Sequence, residues 1–243
     1  MREWCKSWER WNHTFELLDG CLPNDHSRQI SSEYYLKLLV DKLQKVERVV
    51  DLGCGAGGSV DDFRAVDPSI RWIGLDIEES PEVRARSRND AEFYSFDGVN
   101  IPFSCAEFDA VYSKQVLEHV RHPQDLLREV QRVLKPGGYF LGSTSCLEPY
   151  HSRSLWNYTP YGLRCLIEEA GLRLVEVRPG IDGITLAFRR LLGAPRFFEF
   201  WFMHESPLNA MIGLAGKILR KGHRWTNAAK LIFSGHICFL ARK

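Results

Sequence analysis

The apolar residues of this chain change period several times, and each change marks a predicted element. Trp4, Trp8, Trp11, Phe15 and Leu18 recur at helical spacing, which predicts an amphipathic helix over 4–18. Ser32 is placed to cap a second helix, YYLKLLVDKLQKV. The period then shortens. ERVVDLGC (47–54) is an apolar run ending in glycines and reads as a buried strand. A helix is expected from Ser59 to about Val66, ended by Asp67-Pro68. RWIGLDI (71–77) reads as a second strand and SPEVRARSRND (80–90) as a helix with Pro81 in its first turn.

EFYSFD (92–97) and FDAVYSKQ (108–115) supply a third and fourth strand. Pro123 opens the next helix, whose apolar face is Leu126, Leu127, Val130, Val133 and Leu134, and Lys135-Pro136-Gly137-Gly138 stops it. YFLGSTS (139–145) is the fifth strand. Thr159 caps a helix with Pro160 in its first position and Gly171 at its end. LRLVEVRPG (172–180) and HICFLARK (236–243) complete the strands. Strands alternating with helices imply βαβ units and a mostly parallel sheet covered on both faces. Residues 184–232 break that rhythm with helical patterns and no convincing strand. They read as a helical insertion within one α/β domain spanning 47–243, with 1–46 as N-terminal helices able to act as a lid.

The chain has 243 residues, which one elaborated α/β domain accommodates. A charged fraction of 26% beside 44% hydrophobic residues excludes disorder and collagen-like structure. Lys+Arg 32 against Asp+Glu 31 leaves no basic excess, which argues against nucleic acid as a partner. Seven scattered cysteines without a C-x-x-C pair suggest neither a disulfide framework nor a zinc site, and no metal-ligand spacing stands out. With no apolar signal-peptide core and no membrane-spanning run, a cytoplasmic location is expected.

Chemistry concentrates where the strands end. Asp51-Leu52-Gly53-Cys54-Gly55-Ala56-Gly57-Gly58 places four glycines between a strand and a helix, where a ligand can approach backbone N–H groups. The run satisfies both G-x-G-x-x-G and D-x-G-x-G-x-G, so by itself it leaves the nucleoside cofactor open. Asp76, followed by Ile77, closes the second strand about where a ribose-binding carboxylate is expected; its bland alternative is a helix cap for 80–90. Asp97 could accept an exocyclic adenine amine, or simply form a turn before Gly98.

Taken together, DLGCGAG, GLD, SFD, FDAVYSKQVLEHV and VLKPGGYFLGSTS resemble, in order and spacing, the motifs of class I S-adenosylmethionine-dependent methyltransferases. The resemblance covers about 47–180. It implies a Rossmann-like doubly wound sheet of seven strands, the last antiparallel, with S-adenosyl-L-methionine as cofactor. By position it assigns Gly53, Gly55 and Gly57 to the methionine portion, Asp51 to loop support and Asp76 to the ribose, with Ile77 also among the cofactor-binding residues. Asp97 and Gly98 fall to the adenine edge, Ser113 and Lys114 to the amino-acid end.

A hydroxyl acceptor needs a base that takes its proton during the step. The family architecture points to His119 in LEHV and to the loop Glu148-Pro149-Tyr150-His151, with His151 the stronger loop residue and Tyr150 and Tyr158 lesser ones. His119 could instead merely orient its loop. The aromatic-Thr-Pro stretch before 160 resembles methyltransferases acting on sugars and glycans, which favours O-methylation of a hydroxylated small molecule or glycan, with Trp156 stacking on it. A lipid or quinone-like acceptor is the alternative. Other classes in play are a non-catalytic binding subunit and an NAD(P)-dependent oxidoreductase. The aromatic cluster Phe197, Phe198, Phe200, Trp201 and Phe202 is expected to pack on the sheet; the sharper readings are a lid, a homodimer surface or a peripheral membrane contact.

Overall fold

The computed structural model describes residues 15–42 and 46–243. Most of the helix expected over 4–18, with Trp4, Trp8 and Trp11, lies outside the described residues. Leu18, Cys21 and Leu22 behind it are buried in the main core. The elements used below are α1 (Tyr34–Lys42), β1 (Arg48–Leu52), α2 (Ser59–Val66), β2 (Arg71–Ile77), α3 (Pro81–Arg84), β3 (Glu92–Phe96) and β4 (Phe108–Lys114). There follow α4 (Pro123–Val133), β5 (Leu134–Ser145), α5 (Pro160–Glu169), β6 (Arg173–Pro179) and α6 (Gly183–Leu191). The chain closes with α7 (Phe200–Met203), α8 (Pro207–Ile218), α9 (His223–Ile232) and β7 (His236–Arg242).

The strands form one seven-stranded sheet in the order β3-β2-β1-β4-β5-β7-β6. β1 runs parallel to both β2 and β4, and β7 is antiparallel to both β5 and β6. This is the doubly wound sheet with a reversed last strand that the motif set implies. Its two faces are covered by separate apolar clusters. Val50, Leu52, Val111 and Phe140 pack with α4 and α5 residues, while Val49, Ala110, Tyr112 and Leu141 meet α1 and α2. Consecutive strand residues fall in opposite clusters because side chains alternate across a pleated sheet.

Local chemistry explains the element ends. Thr159 accepts the amide of Gly162 at 3.0 Å and caps α5, with Pro160 next to it. Asp182 caps α6 in the same way through Thr185. Two expectations are corrected. The helix over 80–90 is only α3, four residues long, because Arg86 and Arg88 turn back to bond Gly55 and Asp61. Strand five begins at Leu134, not 139: α4 stops before Pro136, and Leu134 already pairs with Phe108.

Candidate active site

The strand order reverses between β1 and its neighbours β2 and β4, so the loops leaving their carboxyl ends diverge to opposite faces of the sheet. That switch point is where open α/β sheets bind ligands. The glycine loop sits there. Gly53 (φ +72°) and Gly57 (φ +82°) adopt left-handed backbone that side chains resist, and a Cβ on Gly53 would lie 2.3 Å from a Val116 methyl. The loop is also tied down. Gly53 N donates to Leu75 O at 2.7 Å, Gly55 N to Asp76 Oδ2 at 2.6 Å, and Arg86 donates to Gly55 O at 2.6 Å.

Asp51 lies beneath the loop, buried, and accepts a short hydrogen bond from Ser59 at the start of α2. Burial pushes its carboxyl up to about 7, against the opposing bond from Ser59. Asp76 does not cap a helix; Ser80 caps α3. Asp76 instead reaches both the glycine loop and the amide of Ile77, at 2.7 Å, while Ile77 itself is exposed beside it. Asp97 is engaged by its own turn: Oδ1 accepts from the amides of Val99 and Asn100 at 2.9 and 2.7 Å, and Oδ2 accepts from the Asn100 side chain. Its turn-forming role is therefore realised, and the Asn100 amide shares that edge. Gly98 follows with φ +89°.

Ser113, next to last in β4, is fully buried, and its Oγ has no hydrogen-bond partner. Lys114 pairs with Glu33 just before α1. A nucleoside cofactor with an amino-acid tail fits these residues. Gly53 and Gly57 leave no room for side chains, Asp76 offers acceptor oxygens, and Ser113 has an unused buried hydroxyl.

The second half of the site lies past β4 and β5. His119 and His151, 32 positions apart in sequence, meet edge to face with ring centroids 5.5 Å apart. His151 Nδ1 lies 3.5 Å from Glu148 Oε1. Glu148 Oε2 in turn accepts from Ser145 Oγ at 2.5 Å and lies 2.9 Å from His236 Nε2 on β7. Burial works to raise the Glu148 carboxyl, but His236, Ser145 and His151 overcome it and hold it below the usual carboxylate range. Glu118, fully buried, accepts from Thr144 Oγ1 at 3.0 Å and lies 3.1 Å from Ser145 Oγ.

Glu118, His119 and His151 also bring one donor atom each within 4.8 Å of the others, a carboxylate–bis-histidine set able to hold a divalent ion. Sequence spacing could not show it, since His151 arrives from another loop. Also missed were Arg86, Glu118 and His236. Only Glu118 carried a signal, through the LEHV motif. Tyr150 stands 78% exposed, outside the buried network. Tyr158 is engaged elsewhere: its hydroxyl donates to Leu117 O at 2.9 Å, and burial raises it well above the usual phenol value.

Residues 50–142, which hold the glycine loop, Asp76, Ser113 and His119, match the family model described as a methyltransferase domain. Residues 50–142 thus carry a methyltransferase domain, and the sheet is that of the class I S-adenosylmethionine-dependent fold. Among curated relatives, the 24-methylenesterol C-methyltransferase 2 of Oryza sativa is 32% identical over 140 residues, 54% of this chain and 38% of the relative. The demethylmenaquinone methyltransferase of Renibacterium salmoninarum is 32% identical over 118 residues, 47% of this chain and 49% of the relative. The chain thus spans half or less of the length of these relatives. The fold is shared with the 1,6-didemethyltoxoflavin-N1-methyltransferase of Burkholderia thailandensis, solved with S-adenosylhomocysteine, at a TM-score of 0.53 and 17% identity over 87% of this chain and 78% of that one. The cofactor of this domain class is S-adenosylmethionine.

Proposed function

We propose that this chain transfers the methyl group of S-adenosylmethionine to a hydroxyl oxygen of its acceptor, with a histidine as base. The observation that carries the reading is the His119–His151 pair backed by Glu148. Gly53, Gly55, Gly57, Asp76 and Ser113 would hold the cofactor. When bound, it supplies an electrophilic sulfonium methyl and needs alignment from the protein, not activation.

The chain's own contribution is proton handling. A neutral alcohol is a poor nucleophile until its proton is removed, and an imidazole titrates in the right range to do so. His151 is the better placed of the two rings. The Glu148 carboxylate near its Nδ1 favours a proton on that nitrogen, leaving Nε2 to accept one from the acceptor, and stabilises the resulting imidazolium. His119 packs against its ring and limits its rotation.

For the acceptor, a hydroxylated small molecule or sugar can stack on Trp156, which is half exposed with its Nε1 donating to Val120 O at 2.8 Å. A lipid or quinone-like acceptor is favoured by a different observation, the exposed Leu147 on the loop that carries Glu148 and His151. The relatives that act on a sterol and on demethylmenaquinone support the same choice. Methyl-labelled S-adenosylmethionine incubated with the protein and a cell extract tests both. Label in an organic-soluble fraction selects the lipid acceptor, label in polar or glycan fractions selects the sugar-like one, and label in protein or nucleic acid alone refutes the proposal.

A further inference from the structure

Helix α8 is built inside out. On its inner side Asn209 Nδ2 donates to Gln29 Oε1 at 2.7 Å and to Gly180 O at 2.9 Å, and Gly216 lies against Thr226. Its solvent side is apolar: Met211, Leu214 and Ile218, spaced as one helical stripe, are 66%, 59% and 72% exposed. Helix α6, which touches α8, repeats the arrangement with Ile184, Phe188 and Leu191 exposed along one face. Phe197, Phe200 and Met203 between them are exposed as well. Water does not favour two adjacent helices with apolar outer stripes, and such surfaces mark contacts.

Charge selects the occupant. Residues 183–218, which form this face, carry Arg189, Arg190, Arg196 and Lys217 against Glu199 and Glu205, a net charge of +2 in a chain whose total is +1, and Arg220 and Lys221 follow directly. Glu205 is already paired with the buried Lys230. A second copy docking through this face by a two-fold axis would set its net positive charge against itself, because an isologous contact brings the same patch onto itself. An anionic bilayer complements both the apolar stripes and the charge. No described helix is long and apolar enough to cross a membrane, so the contact lies in the interface plane.

We propose that α6, residues 196–204 and α8 together dock this protein on an anionic lipid surface. The face borders the candidate active site. Gly183, at the start of α6, packs on Leu147, and Phe202 lies 5.8 Å from His236, which holds Glu148. The docking stands independently of the proposed transfer chemistry, and its test reads no methyl transfer.

The test is flotation of the full chain with vesicles of phosphatidylcholine alone and with about a quarter phosphatidylglycerol. The expected result is at least about tenfold tighter binding to the anionic vesicles, weakening as salt rises. The double variant Leu214→Glu, Ile218→Glu should lose about tenfold of that binding, with its thermal midpoint and its S-adenosylhomocysteine affinity unchanged. Wild-type protein that floats with neither vesicle overturns the proposal. So does a wild-type dimer in sedimentation velocity that the double variant converts to monomer, since a second copy would then occupy the face.

Discussion

Asp76 Oδ2 accepts the amide proton of Gly55 at 2.6 Å, so the carboxylate expected to hold a ribose also holds the glycine loop. One side chain therefore couples two parts of the cofactor site. Its second oxygen accepts from the amide of Ile77, which fixes the carboxylate plane before any ligand arrives.

Asp76→Ala is expected to weaken S-adenosylhomocysteine binding by about 1.5–3 kcal/mol, through lost charge-assisted bonds and a loosened loop. Calorimetry measures it. Wild-type affinity in the variant would remove Asp76 from the site, and tight NADH binding by the wild type would reverse the choice of cofactor.

Gly53→Ala should destabilise the fold by about 1–3 kcal/mol, since the new methyl meets Val116 and the backbone is left-handed. Urea unfolding with and without S-adenosylhomocysteine checks it. A variant as stable as wild type would show that the loop is looser than its φ angles imply.

His151→Ala is expected to cut turnover by about 10²–10⁴ while cofactor affinity holds. Glu148→Gln should lower turnover less and leave binding intact, because it removes the partner behind Nδ1 and not the base. If chelation abolishes wild-type activity and a divalent ion restores it, Glu118, His119 and His151 act as ligands instead.

Asp51 makes stability depend on pH in a defined direction. Its folded pKa, about 7, lies above the ordinary value of 3.8, so the folded state prefers the protonated form. The stabilisation is complete below the unfolded value and is lost as pH rises from there through about 7. Asp51→Asn should flatten that part of the profile. Denaturant unfolding at pH 4, 6 and 8 reads the difference, and parallel profiles for variant and wild type would refute the assignment.

The strand and helix succession was legible because period and punctuation are local. Ser59–Val66 and Arg71–Ile77 form as expected, between Gly-rich and Asp-Pro boundaries that need no tertiary information. The glycine loop and Asp76 were legible for the same reason: both terminate strands, and a parallel sheet gathers its strand ends at one edge.

What tertiary structure decided is which of those residues meet and which way each face turns. His119 and His151 come from different loops, and only the pairing of β4 with β5 brings them together. Asp97 carries the right residue type at the right strand end, yet its oxygens are taken up by a turn three residues long. The aromatic insertion shows the limit most clearly. Helical periodicity announces that Met211, Leu214 and Ile218 share a face, but not whether that face looks inward. Here Asn209 satisfies buried acceptors on the inner side, and the apolar stripe is left outside. A sequence specifies faces; the rest of the fold assigns each face its neighbour.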